Sequence, residues 1–201
     1  MTRELFEFDI NYGCKVGGCD EAGRGPIAGP VVVAACRMPT DFIIEGINDS
    51  KKLSPIKREE LYEKIIKCAD YSVAVIDEKT IDEINILQAT KKGMAECICA
   101  LKDVDLVLVD AVKLDLPVKT EPIIKGDAKS YNIAAASIIA KVYRDRLMAE
   151  MDKRYPEYGF NKHKGYGTKF HIDALKKYGP CPIHRTTFIK NFVGDSYEER
   201  Q

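Results

Sequence analysis

The chain has 201 residues, 45% of them hydrophobic, which suits one domain with a sizeable core and excludes a disordered chain. Lys plus Arg and Asp plus Glu number 31 each, so the formal net charge is zero and no acidic or basic tail governs the whole molecule. No run of 18 apolar residues predicts a membrane-spanning helix, and Met1–Asn11 lacks the apolar stretch of a signal peptide, so a cytoplasmic location is expected.

In chain order, the first predicted strand is Lys15–Asp20, followed by a Gly-rich turn, and the second is the β-branched run Pro30–Met38. Pro55–Ala69 reads as a helix, with Ser54 as N-cap and Pro55 at the first helical position. Tyr71–Asp77 is the third strand and Thr80–Leu101 the second helix. Leu106–Asp110 and the more polar Thr120–Ile124 are the fourth and fifth strands. A long helix over Ala128–Lys153 places Ile133, Ala136, Ile139, Ala140, Tyr143, Leu147 and Met151 on one face. A short helix over Thr168–Tyr178 comes last. Adjacent early strands suggest antiparallel pairing and helix-separated strands parallel pairing, which together give an α/β fold with a mixed sheet.

The seven cysteines contain no C-x-x-C pair, so neither a disulfide framework nor a structural zinc site is expected. Most lie in apolar stretches and read as small core residues. Charge is uneven along the chain. Residues 1–50 carry a net of −4, and residues 153–190 carry nine Lys/Arg against two Asp/Glu, interleaved with Tyr155, Tyr158, Phe160, Tyr166, Phe170, Tyr178 and Phe188. Such a segment suits a phosphate backbone with sugars or bases to stack on, or equally a solvated helical face with core aromatics.

Four carboxylates stand at predicted element ends. Asp20 and Glu21 close the first strand before Gly23, Gly25 and Gly29, and ending the strand there frees both to face one site. Asp110 ends a buried apolar run, either as a site residue or as an ordinary strand terminus. Asp127 precedes the long helix, as its N-cap or as a rigidly held ligand. A dinucleotide fingerprint fits the Gly-rich turn poorly, since Ala28 takes the third glycine position and Pro26 and Pro30 interrupt the helix. If the four converge, each pair repels by about 4 kcal/mol at ~4 Å and an effective dielectric of ~20. A bound cation removes that cost, and all-oxygen ligation selects Mg²⁺ or Mn²⁺. His163, His171 and His184 leave a metal-free, two-histidine nuclease as an alternative.

These motifs resemble the bacterial ribonuclease HII family, the type 2 ribonucleases H, from about Lys15 to Phe192. The resemblance is carried by Asp20-Glu21-Ala22-Gly23-Arg24-Gly25-Pro26, Asn48-Asp49-Ser50-Lys51-Lys52-Leu53, Val109-Asp110, Lys125-Gly126-Asp127, Ala134–Val142 and His163-Lys164-Gly165-Tyr166. Three positions depart from it: Ala111 for a usual glycine, Tyr143 for a usual threonine, and threonine for a frequent serine in His184-Arg185-Thr186-Thr187-Phe188. The resemblance implies a ribonuclease H-like fold, a five-stranded mixed sheet flanked by helices with a small helical C-terminal part. Residues 1–154 are expected to form the catalytic domain. Residues 155–201 are expected to form a basic helical segment packed on it. It also implies a monomeric, metal-dependent endonuclease acting on RNA–DNA hybrids and on DNA duplexes containing ribonucleotides. Asp20, Glu21, Asp110 and Asp127 would hold two Mn²⁺ or Mg²⁺ ions, and Gly23, Arg24, Gly25, Lys51, Lys52, Lys164 and Tyr166 would bind substrate. Any protein partner is left open.

Overall fold

The computed structural model describes residues 2–193; residues 194–201 of the predicted C-terminal segment lie outside the described residues. A helix that the sequence reading left unassigned comes first, α1 (Thr2–Ile10). Then follow β1 (Val16–Ala22), β2 (Val31–Arg37), α2 (Pro55–Ile65), β3 (Asp70–Ile76), α3 (Glu78–Ala100), β4 (Leu106–Asp110) and β5 (Lys119–Ile123). The long helix is α4 (Tyr131–Arg154), and α5 (Phe160–His163), α6 (Lys169–Tyr178) and α7 (Thr186–Val193) complete the chain. The strands form one sheet in the order β3-β2-β1-β4-β5. β1–β2 and β2–β3 are antiparallel, β1–β4 and β4–β5 parallel. Pro122, which cannot donate to a ladder, sits in the edge strand β5.

Alternation along the strands divides the core between the two faces of the sheet. Val32, Ala34 and Cys36 meet α4 and α2, whereas Cys19, Val33, Ala35, Val107 and Val109 meet Met94, Cys97 and Ile98 of α3. Tyr131–Ala140 is buried all round, because the sheet covers one side of α4 and α1 and α2 cover the other. The single apolar stripe expected there is therefore widened at its start, and Tyr143 is exposed. Gly18 is required at the centre of the sheet. A Cβ there would lie 2.2 Å from the backbone of Asn132 and Ile133. Cys19, Cys36 and Cys97 are core residues as expected, but Cys14 and Cys99 are exposed.

Two helix starts and one helix interior differ from expectation where side-chain capping competes with periodicity. Asp77 caps α3 through the Thr80 amide, so the helix begins at Glu78. Asn85 breaks that helix with φ 66°, its side chain accepting from the Leu87 and Gln88 amides. Ser130, not Asp127, caps α4; Asp127 lies in a separate 3-10 turn, Gly126–Ala128. No helix of the described residues is long and apolar enough to cross a membrane.

The chain after Tyr155 docks on the turn following β1. Ile27 and Ala28 donate to the Gly165 carbonyl, Gly29 to Ile183, and Ala28 bridges His184.

Candidate active site

The parallel register Cys19↔Val109 puts Asp20 and Asp110 one step further along neighbouring strands, at the carboxyl end of the sheet. Strand ends of this kind are where α/β sheets build sites. β1 does not stop at Asp20, however. It runs to Ala22, pairing Glu21 with Val33 of β2, because the β2 run continues to supply partners. By register Asp20 lies on the α4 face, where Ser137 bonds it, and Glu21 is offset to the other side; at the end of the sheet Glu21 nevertheless lines the same cleft as Ser137.

Both carboxylates feel Asp110. Burial pushes Asp20 well above its ordinary value, with Glu21 and Asp110 adding to the rise. Burial also raises Glu21, against the pull of Arg24, whose Nη1 lies 3.4 Å from Glu21 Oε1. Glu21 Oε2 is buried without a hydrogen-bond partner among the described residues. Asp110 Oδ1 accepts from the Gly126 amide at 2.7 Å, which ties β4 to the turn carrying Asp127. Asp127 is raised by burial and by the charges of Asp49 and Asp110.

Asp49 is the acid that the motif reading passed over. It looks like a turn residue in sequence, and it does cap the Ser50–Lys52 3-10 turn, yet it also stands near enough to Asp127 to help raise that acid's pKa. Lys51 Nζ is 3.8 Å from Asp127 Oδ2 and feels Asp20, Asp49 and Asp110. Burial lowers the Lys51 pKa, but the acids outweigh it and the net shift is upward. A cationic side chain, 79% exposed, thus leans over the acids.

An all-oxygen set, mutual repulsion and an unpartnered buried carboxylate oxygen suit divalent hard cations. The four acids are not drawn into one ligating group: among the described residues no three or more His, Cys, Asp or Glu are placed to hold a metal ion. The set is therefore open, and water or substrate oxygens must complete any coordination.

A cleft of about 270 Å³ adjoins these acids, lined by Glu21, Gly23–Gly25, Ser50, Lys51, Ser137, Lys141, Arg144 and Tyr166. Tyr166 is 49% exposed and faces Gly25. Room for an approaching group exists at Gly25, where a Cβ would meet only Tyr166 at 3.5 Å. It is lacking at Gly23 (φ 102°), where a Cβ would lie 2.0 Å from Arg144 Nε, and at Gly165 (φ 86°), 2.2 Å from the Ala28 carbonyl. Those two are demanded by the protein's own packing.

Other predicted residues scatter. Lys52 pairs at 3.8 Å with Asp49 outside the lining. Lys164 bonds Asn161 and lines a neighbouring groove of about 640 Å³ with Lys141, Arg58 and Arg146. The histidines lie away from the acids. His171 and His184, both buried, bond each other through Nε2 at 3.1 Å, and His171 Nδ1 donates to the Tyr166 carbonyl. Burial lowers both pKa values to about 4, so they are neutral packing groups. Tyr158 and Phe160 are buried against them; of the tail aromatics Tyr166, Phe170 and Tyr178 remain exposed.

The family model described as Ribonuclease HII matches residues 17–191. Among relatives, the chain is 57% identical over 196 residues to a Ribonuclease HII of Ruminiclostridium cellulolyticum, covering 96% of this chain and 76% of that one. It is 56% identical over 194 residues to a Ribonuclease HII of Caldicellulosiruptor bescii, covering 94% of each. Among solved structures, the ribonuclease H2 of Pyrococcus horikoshii superimposes with a TM-score of 0.72 at 30% identity, covering 92% of this chain and 99% of the other.

Proposed function

Since the chain belongs to the ribonuclease HII family, we propose that this ribonuclease H-type hydrolase cuts the RNA strand of RNA–DNA hybrids. It also cuts on the 5′ side of single ribonucleotides in duplex DNA, leaving 3′-hydroxyl and 5′-phosphate ends. What supports the reading is that Asp20 and Asp110 stand at the same end of neighbouring strands, that Glu21 and Asp127 each feel the Asp110 charge, and that Glu21 and Tyr166 line the cleft beside them. These four would hold two Mg²⁺ or Mn²⁺ ions, with the free Glu21 Oε2 available as a donor. Such ions, when bound, supply an activated water and neutralise charge on the leaving 3′-oxygen.

The protein's own groups do the rest. Lys51 withdraws from Asp127 to a phosphate oxygen, and the basic segment after Tyr155 adds phosphate contacts that weaken with salt. The Gly23–Gly25 loop and Tyr166 meet the ribose 2′-hydroxyl, the group that distinguishes one ribonucleotide from its neighbours. A deoxyribose there leaves polar groups unpaired, a cost of about 1–3 kcal/mol.

The test is a DNA duplex carrying one ribonucleotide, incubated with Mg²⁺ and mapped at single-nucleotide resolution. The expected cut is 5′ of the ribonucleotide, lost in Asp110→Asn and Asp127→Asn with duplex binding retained. Near-parental turnover in either variant at saturating Mg²⁺ removes that residue from the site.

A further inference from the structure

Two arginines are buried beside the cleft without a carboxylate hydrogen bond among the described residues. Arg185 is 0% exposed and Arg144 is 1% exposed. Among the described residues Arg185 donates only to main-chain oxygens: Nε to Gly29 at 2.9 Å, Nη1 to Arg24 at 3.0 Å, and Nη2 to Gly23 at 2.6 Å and Gly29 at 2.7 Å. Arg144 does likewise, with Nε to Pro30 at 2.9 Å, Nη1 to Lys164 at 2.9 Å and Nη2 to Ala28 at 3.2 Å. Burial lowers both pKa values to about 10, so both stay charged at neutral pH. The acids felt by both include Glu78, at the first turn of α3. Burying two like charges is costly unless their hydrogen bonds are filled, and the loop carbonyls fill them.

The direction of those bonds has a geometric result. In a trans peptide the C=O of one residue and the N–H of the next point opposite ways. Arg185 draws the Gly23 and Arg24 carbonyls inward, so the Arg24 and Gly25 amides must point outward, away from the guanidinium. Neither amide donates to a main-chain or side-chain acceptor among the described residues. Outward is the cleft that Gly23, Arg24, Gly25 and Tyr166 line. Arg144 fixes the other wall by binding the Lys164 carbonyl, one peptide before Gly165, while its Nε lies where a Gly23 Cβ would be.

We infer that Arg185, with Arg144, is a positioning residue: the pair turns the Gly23–Gly25 amides toward the cleft as donors and sets the distance between that loop and Tyr166. This inference rests on the function proposed above for the loop. It makes the loop a donor surface, so the group it meets is an oxygen acting as acceptor, a ribose hydroxyl or a phosphate. The guanidinium fork is the operative feature. A lysine keeps the charge but cannot reach three carbonyls in one plane.

The experiment compares the full-length parent with Arg185→Lys by two readouts. One is the ¹⁵N–¹H signals of Arg24 and Gly25, with β3 amides reporting the folded state. The other is kcat and KM on the single-ribonucleotide duplex, alongside binding to the same duplex in all-DNA form. The expected result is displaced or broadened Arg24 and Gly25 signals, β3 signals in place, kcat lowered about 10–100-fold and KM little changed. Unmoved loop amides, or parental kcat with moved amides, overturns the inference. A parent that leaves the ribonucleotide duplex intact overturns the proposed function instead, and the amide signals still decide whether the clamp exists. If Arg185→Lys does not fold, Arg144→Lys carries the test on the Gly165 and Tyr166 amides with the same criteria.

Discussion

Ala111 follows Asp110 directly and holds φ 52°, a left-handed backbone that disfavours a Cβ. Ala111→Gly relieves that strain and is expected to add about 1 kcal/mol, or about 2–4 °C in Tm, with kcat unchanged; calorimetry and turnover on the same preparation check both halves. Tyr166 gives the second prediction at this scale. Tyr166→Ala is expected to lower turnover on a single-ribonucleotide duplex about 100-fold, and Tyr166→Phe about tenfold, with duplex binding little changed. Equal rates for alanine and parent would make the ring structural. The four acids were legible because a charge ending an apolar run is conspicuous. Asp49 was not, because an Asx residue before a turn has a sufficient local explanation in capping. Arg144 and Arg185 were not, because a lone arginine among basic residues carries no sign of burial, and only long-range packing brings the carbonyls around it.

Elements place these residues through close contacts between backbones. β1 meets α4 at Gly18, where a Cβ would sit 2.2 Å from the Asn132 carbonyl carbon. Gly18→Ala is therefore expected to destabilise by about 3 kcal/mol and to lower kcat, since β1 carries Asp20 and Glu21; urea melts and turnover measure the two effects. The α1–α4 junction is the titratable one. Asp9 Oδ2 accepts from the Asn132 amide and side chain, each at 2.8 Å, and burial raises its pKa from 3.8 to about 6. The folded protein then holds this proton more tightly than the unfolded chain. Its contribution is full below about pH 4 and is lost as pH rises through about 6. Asp9→Asn is expected to be more stable than the parent by about 1–3 kcal/mol at pH 8 and to match it near pH 3.5; an equal gap at both values would refute the assignment. Helix α1 escaped the sequence reading because its acidic and aromatic residues alternate over only nine positions. The start of α4 was misplaced because Asp127 and Ser130 are both good caps and only the 3-10 turn between them separates their roles.

At the scale of the molecule, the mixed sheet could be expected from the pattern of elements, although the pairing rule behind it fails twice: β2 and β3 pair antiparallel across the helix α2, and β4 and β5 pair parallel with no helix between them. Where the chain after Tyr155 docks could not be read from that pattern, because it depends on Gly165, Ile183 and His184 meeting a loop far away in sequence. Repulsion among the site acids predicts that divalent metal stabilises the fold. Mg²⁺ or Mn²⁺ at tenfold its Kd should add about 1.4 kcal/mol, a rise of about 3–6 °C in Tm. Asp20→Asn should raise the metal-free Tm and reduce the gain on adding metal. Melting curves indifferent to metal in both proteins would refute a shared cation site.

The bond from Arg185 to the Gly23 carbonyl spans 162 positions of sequence. A ribosome adds about 5–20 residues per second, so β1 and its turn exist for about 8–32 s before the residue that clamps them is made. During that interval the strand carrying Asp20 and Glu21 can pair, but the Gly23–Gly25 loop lacks its support. Competence against nucleic acid thus arrives as one late event in the life of the chain, well after the acids themselves have been synthesised.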